Sequence, residues 1–187
     1  MVQPAKLSRE KIVREAIALL QEGGLVALTL RRLAERLGAR APSLARHVGD
    51  KGQLVALVSG TIFLDALDSV PQGLTGGDWL LAYGRALRGK QLETRDVTAL
   101  IAAAPRFPEI EAEVAARLVG AMQQAGLAGP AAMSQQAAIQ ALVTGWMVFE
   151  KSPRRDQFMA RLPNSQGFDE ALAALVAGFG AVGGDRP

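Results

Sequence analysis

The 187-residue chain has no cysteine, one histidine and one tyrosine, and only 5% of its residues are aromatic. Without thiols there is neither a disulfide framework nor a thiolate nucleophile. The lone histidine, His47, lacks the co-ligands of a metal site and the nearby partner of an acid–base dyad. No uninterrupted apolar run approaches the roughly 20 residues of a membrane span, and the opening MVQPAKLSREK is polar, unlike a signal sequence. Nothing alternates with period two over a useful length, which argues against strands. The acidic series Glu109, Glu111 and Glu113 reads as a charged helix start favoured by the dipole rather than as paired catalytic carboxylates. The expectation is a cytoplasmic protein that is not an enzyme and holds no metal or cofactor.

What is present is helical patterning in a chain that is 49% hydrophobic and 21% charged, enough for a packed core. Ser8 is placed to cap a helix to about Gln21, with Ile12, Ala16 and Leu19 on one stripe and Val13, Ile17 and Leu20 beside it. Gly23 and Gly24 end it. Thr29 is a natural N-cap for a second helix whose Leu30, Leu33, Ala34 and Leu37 follow the i, i+3, i+4, i+7 spacing of one buried face. Gly38 supplies the left-handed stop, and Pro42 suits the first position of a third helix that buries Leu44 and Val48. Its outward set, Ser43, Ala45, Arg46 and His47, is small, polar or basic, as a major-groove face requires. Asp50 and Gln53 form a capping box for the next helix, so the third must stop near His47 to Gly49. Two short helices around a glycine turn make a helix-turn-helix.

Charge follows the same division. Residues 1–60 hold ten Lys or Arg against five Asp or Glu, and residues 61–187 hold eleven against thirteen. The basic excess belongs to the segment with the helix-turn-helix, the footprint of a surface that meets phosphates. Arg31, Arg32, Arg40, Arg46 and Lys51 together fit phosphate clamping.

A long helix is expected from Asp50 to about Ser69, with Leu54, Leu57, Val58, Thr61 and Ile62 inward, placed to transmit a shift from the head to the remainder. Further helices are expected at Asp78 (as cap) to Gly89, Thr94 to Ala103, Glu109 to Gln124, Pro130 to Lys151 and Phe168 to Gly180, with a break at Ser152-Pro153-Arg154-Arg155 and the rest of 152–167 left unassigned. The reading is all-α: a helix-turn-helix DNA-binding head over 1–52, a C-terminal ligand-binding and dimerisation domain over 53–182, and a disordered tail at 183–187.

The segment AIALLQEGGLVALTLRRLAERLGARAPSLARHVGDK resembles the start of the TetR family of bacterial transcriptional regulators. The resemblance is carried by Gly23-Gly24-Leu25, Leu28-Thr29 before Arg31-Arg32-Leu33-Ala34, Leu37-Gly38, Pro42-Ser43-Leu44, His47 and Lys51. A looser likeness to the tetracycline-repressor branch covers Gln124-Ala125-Gly126-Leu127 and Phe168-Asp169-Glu170-Ala171-Leu172. The resemblance implies a homodimer that represses a palindromic operator until a small molecule binds. It places Arg31, Ala41, Pro42 and Ser43 at or near bases and His47 and Lys51 at phosphates; Thr29, Arg32, Arg40, Ala45 and Arg46 complete the expected DNA-binding set. Where the family usually carries an aromatic residue this chain has Ala45, followed by Arg46, which can reach phosphate or a guanine edge. The operator sequence therefore does not transfer from a relative.

In the C-terminal domain, Trp79, Tyr83, Phe107, Gln140, Thr144 and Met147 are the candidate effector contacts, with Trp146 and Glu150 nearby, although aromatic stripes at helical spacing usually pack. The absence of histidine there argues against a tetracycline–magnesium chelate and for an apolar or aromatic effector. Small residues Ala137, Ala138, Ala141 and Gly145 allow a partner helix to approach, so the helices near 130–151 and 168–180 are assigned to a four-helix dimer seam. The alternatives are an architectural DNA-binding protein or an activator without small-molecule control.

Overall fold

A computed structural model describes residues 7–161 and 167–183, with all their side chains except those of 158, 159 and 180–183. Among these residues every regular element is a helix, so the protein is all-α. Ten α-helices follow one another: α1 (Arg9–Gly23), α2 (Leu30–Leu37), α3 (Ala41–Val48), α4 (Lys51–Asp68), α5 (Gly76–Glu93), α6 (Val97–Ala103), α7 (Pro108–Gln124), α8 (Gly129–Glu150), α9 (Arg155–Met159) and α10 (Gly167–Gly183), with one 3₁₀ turn at Leu25–Ala27. The expected tail at 183–187 lies outside the described residues, apart from Gly183, the last residue of α10.

The predicted caps are formed. Ser8 Oγ accepts the Lys11 N–H at 3.3 Å and Thr29 Oγ1 the Arg32 N–H at 3.2 Å. Asp50 and Gln53 exchange hydrogen bonds, Gln53 N–H to Asp50 Oδ1 at 2.8 Å and Asp50 N–H to Gln53 Oε1 at 3.2 Å. Helix starts set by tertiary contacts differ from expectation. Asp78 does not cap α5: the helix begins at Gly76, the Thr75 carbonyl accepts the Trp79 N–H at 3.3 Å, and Asp78 lies within the first turn, where its charge suits the dipole. Helix α6 starts three residues late because Arg95 and Asp96 turn the chain, Asp96 at φ 53°, ψ 26°. The short α9 begins at Arg155, the last residue of the expected break.

The chain divides into two compact units, and not at 52/53. One comprises the residues up to Ile62 together with Thr94–Val114; the other comprises Phe63–Glu93 and the residues from Ala115 onward. The reason is where apolar side chains go. The core of the first unit joins Ile12, Ala16 and Leu20 of α1, Leu33 of α2, Leu44 and Val48 of α3, Leu54, Val58 and Ile62 of α4, and Leu100 of α6. A three-helix head of about 50 residues buries too small a fraction of its surface to be secure alone, and α4 and α6 complete it. In the second unit α5 packs on α8 and α10 around Trp79, Tyr83, Leu87, Met122, Ile139, Val143 and Leu172.

Candidate nucleic-acid interface and effector site

The turn between α2 and α3 is built by Gly38 at φ 60°, ψ 32°. Its N–H reaches the Glu35 carbonyl at 3.2 Å and the Ala39 N–H reaches the Ala34 carbonyl at 2.9 Å, the paired bonds that close a helix through a left-handed residue. Leu33, Ala34, Leu44 and Val48 lock the two helices inward. That registration leaves Pro42, Ala45, Arg46 and His47 exposed, with Ala41 and Ser43 half-buried. Helix α3 starts at Ala41, one residue before Pro42, and its N-cap, Arg40, supplies no capping hydrogen bond. Pro42 has no N–H, and the Ser43 and Leu44 N–H groups turn back to the Arg40 carbonyl at 2.9 and 3.3 Å, so what the start of α3 presents to a phosphate is the Arg40 side chain.

Ion pairing sorts the cations of this unit. Arg36 bridges α2 to α1 through Glu15 at 2.7 Å and Glu22 at 2.8 Å. Arg9 pairs with Glu113 at 3.4 Å and Arg106 with Glu111 at 2.9 Å, the latter holding the Glu111 carboxyl below the usual carboxylate range. Arg31 meets Glu35 at 3.0 Å, but the Arg31 side chain is 89% exposed, and such a pair is weak and easily exchanged. Among the described residues Arg32, Arg40, Arg46 and Lys51 have no acidic partner. Arg40 stands at the turn before α3, Arg46 on α3 and Lys51 at the start of α4, whereas Arg32 is on α2 with its guanidinium beside Gly23, the last residue of α1. His47 borders a cleft of about 170 Å³ with Arg9, Gln53, Phe107 and Glu109. Phe107, expected among the effector contacts, therefore belongs to the first unit.

The other five candidate effector contacts lie in the second unit. Trp79 and Tyr83 stack at 5.3 Å with a 5° interplanar angle, and Phe63 meets the Tyr83 ring edge-on at 6.1 Å. The Tyr83 hydroxyl accepts from Gln136 Nε2 at 2.9 Å, and the same amide donates to Gln140 Oε1 at 2.9 Å. Burial raises the Tyr83 phenol above its ordinary range despite the Gln136 hydrogen bond. Trp79 and Tyr83 thus form a stacked aromatic core. Met147 is fully buried, and Thr144 accepts from Gln91 Nε2 at 3.4 Å. Beside them Arg88 pairs with Glu150 at 2.5 Å, its guanidinium 4.6 Å over the Phe168 ring, which meets Trp146 at 5.6 Å.

The first helices decide the relationship. The model of bacterial regulatory proteins of the tetR family matches residues 12–58, from the middle of α1 into α4. Residues 12–58 are a tetR-family domain of bacterial regulatory proteins. TetR-family proteins are transcription regulators rather than enzymes. An HTH-type transcriptional regulator of Saccharopolyspora erythraea is 29% identical over 181 residues, 97% of this chain and 75% of its own length. The tetracycline repressor protein class C of Escherichia coli is 34% identical over 117 residues, 58% of this chain; the match spans about half (52%) of that repressor. Among solved structures, the Streptomyces coelicolor TetR family protein ActR in complex with (S)-DNPA has a TM-score of 0.70 at 23% identity, covering 97% of this chain and 100% of ActR. That likeness extends the TetR fold over nearly the whole chain.

Sequence reasoning passed over Arg88, Gln91 and Gln136. The signal existed: Gln91 continues the buried stripe of Tyr83, Gly84 and Leu87, and Gln136 continues that of Ala132, Ile139, Val143 and Met147. A polar residue inside an apolar stripe needs a partner, and these partners are 53 residues away in each case.

Proposed function

We propose that this protein is a TetR-family homodimeric repressor that binds a palindromic operator and is released by a small molecule held in the second unit. One observation carries the DNA-binding part: Arg40, Arg46 and Lys51, before, on and after α3, have no acidic partner among the described residues, while Arg9, Arg36 and Arg106 of the same unit are paired and Lys11 and Arg14, likewise unpaired, lie on α1. Three uncompensated cations around an exposed helix face are costly to gather unless phosphates neutralise them. Thr29, Arg31, Arg32, Ala41, Pro42, Ser43, Ala45 and His47 complete the contact surface, with the Ala45–Arg46 pair the source of this chain's own base preference.

Dimerisation follows from two needs. An eight-residue reading helix offers too little specific contact alone, and two heads can read half-sites about 34 to 36 Å apart. Helices α8 and α10 supply an uncovered face: Ala137, Ala141, Ala173, Ala177 and Gly178 are exposed, Val148 and Phe149 are each 51% exposed, and a side chain added at Gly145 or Gly178 would meet open space. Effector binding favours a pose in which the two heads no longer match the half-site spacing; a tenfold loss of operator affinity needs about 1.4 kcal/mol of unequal binding to the two poses. The (S)-DNPA complex of ActR, of the same fold, supports a small-molecule site.

Gel shifts with genomic fragments at moderate salt test this reading. A few fragments retained over the rest, with affinity falling steeply as salt rises, support it. Uniform weak retention of all fragments favours an architectural protein and contradicts it.

A further inference from the structure

Within the second unit a cleft of about 490 Å³ is lined by Leu67 and Asp68 of α4, Gln72 of the loop that follows, Trp79 of α5, and Arg117 and Gly120 of α7. That is the size of a small-molecule site. Trp79 is only 5% exposed and stacks on Tyr83, and its indole N–H has no acceptor among the described residues. Arg117 donates to the Asp68 carboxylate, tying α7 to α4 at the wall. Gly120 stands inside α7, where glycine is a poor helix former. Nothing lies within 4 Å of a Cβ added there, so packing does not demand the glycine, and its missing side chain leaves the cleft open.

We infer that this cleft holds the effector, and that the effector is an uncharged apolar molecule whose carbonyl oxygen accepts the Trp79 indole N–H. The inference rests on the proposed ligand-released reading and gives its ligand a place and a chemical class. An acceptor is needed because the indole N–H can only donate, and so can the Arg117 nitrogens that Asp68 leaves unused. Neutrality follows because Asp68 and Arg117 already compensate each other, so a charged ligand would have to break that pair or go unmatched. An apolar body follows from the hydrocarbon walls of Leu67, Val70, Leu74 and Ala121. The position suits release as well. Helices α4 and α7 each start in the first unit and end in the second, and the cleft lies between their second-unit halves. An occupant that changes their spacing acts on two helices that also build the unit of the reading head.

The test uses the full-length protein with 2-acetylnaphthalene, its isostere 2-isopropenylnaphthalene, which has no acceptor, and 2-naphthoate. The chain has two tryptophans, so the nitrogen-15 spectrum has two indole N–H peaks, told apart by Trp146→Phe. The ketone moves the Trp79 peak downfield and leaves that of Trp146 in place, and at saturation it raises Tm by about 3 °C or more through mass action. The alkene and the naphthoate do neither. Gly120→Leu, which fills the cleft and improves the helix, melts no lower than the parent protein and loses both responses. A Trp79 peak that ignores the ketone, equal responses to ketone and alkene or to ketone and naphthoate, or full responses in Gly120→Leu each overturn the inference. Because these readouts involve no DNA, a protein that still selects genomic fragments while failing them loses this site and not its proposed regulatory role.

Discussion

The Asp96 carboxylate accepts the Leu25 N–H at 2.9 Å, joining the start of α6 to the 3₁₀ turn after α1. Asp96 makes this bond from a left-handed conformation, φ 53°, uncommon for any residue but glycine, asparagine or aspartate. The neighbouring Arg95 strengthens the joint: its N–H donates to Gln21 Oε1 at 3.0 Å and its guanidinium to the Glu22 carbonyl at 2.8 Å. Opposite lies Gly24 at φ 71°, ψ −175°, a conformation open essentially to glycine alone, where an added Cβ would collide with the Asp96 carboxylate.

The joint orders a set of substitutions. Asp96→Asn keeps both the left-handed tolerance and an acceptor and costs little. Asp96→Gly loses the acceptor alone, and Asp96→Ala loses the acceptor and adds backbone strain, about 1 to 2 kcal/mol in all. Gly24→Ala costs more, about 3 kcal/mol. Urea unfolding of the four variants checks the order Asn, Gly, Ala, then Gly24→Ala.

The helix-turn-helix was readable from sequence because its determinants are local. Thr29, Gly38, Pro42 and the Asp50–Gln53 box act over a few residues, and each lies close to where spacing alone puts it. What sequence could not show depends on distant partners. Nothing local in Asp96 points to Leu25, 71 residues away, so α6 read as a helix of the C-terminal domain, although Leu100 belongs to the core of the first unit. Arg36 looked like one more cation of a basic segment, but Glu15 and Glu22 occupy it. Trp79 and Tyr83 drew attention by residue type; their stacking marks them as core, and the cleft that Trp79 lines depends on α4 and α7, which no spacing along α5 shows.

The sorting of cations predicts which arginines set salt dependence. Replacing Arg40, or Lys51, by Ala lowers the slope of log K against log salt by about 0.9 for each phosphate no longer neutralised. Arg36→Met leaves that slope unchanged and lowers Tm slightly, because its guanidinium is spent on α1. Fluorescence anisotropy with one duplex over a salt series distinguishes them. Arg46→Ala lowers the slope if Arg46 meets phosphate and relaxes preference at one base position if it reads an edge.

Tyr83 is the single tyrosine of the chain, so its titration is read without overlap. Its phenol is raised by burial, and the sign follows: the stability tied to neutral Tyr83 is fully present below the unfolded value near about 10 and is lost as pH rises through the folded value. Phenolate absorbance of the native protein therefore lags behind that of the denatured chain and appears together with alkaline unfolding. A native curve overlying the denatured one contradicts a buried, Gln136-bonded Tyr83. Tyr83→Phe removes one hydrogen bond and lowers stability by about 1 kcal/mol.

The dimer assignment rests on the exposed faces of α8 and α10. Val148→Glu combined with Ala141→Glu puts charge on that face without touching the buried stripe of Ile139, Val143 and Met147. The expected result is a folded monomer by analytical ultracentrifugation, with unchanged helix content and operator affinity reduced to that of a single head.

The sharpest check on a dimeric, operator-reading repressor is selection of bound duplexes from a random pool by the full-length protein. The expected outcome is a palindromic consensus whose half-sites are centred about one helical turn, or a multiple of it, apart. A pool without enrichment, or a single asymmetric site bound by one chain, would overturn that reading.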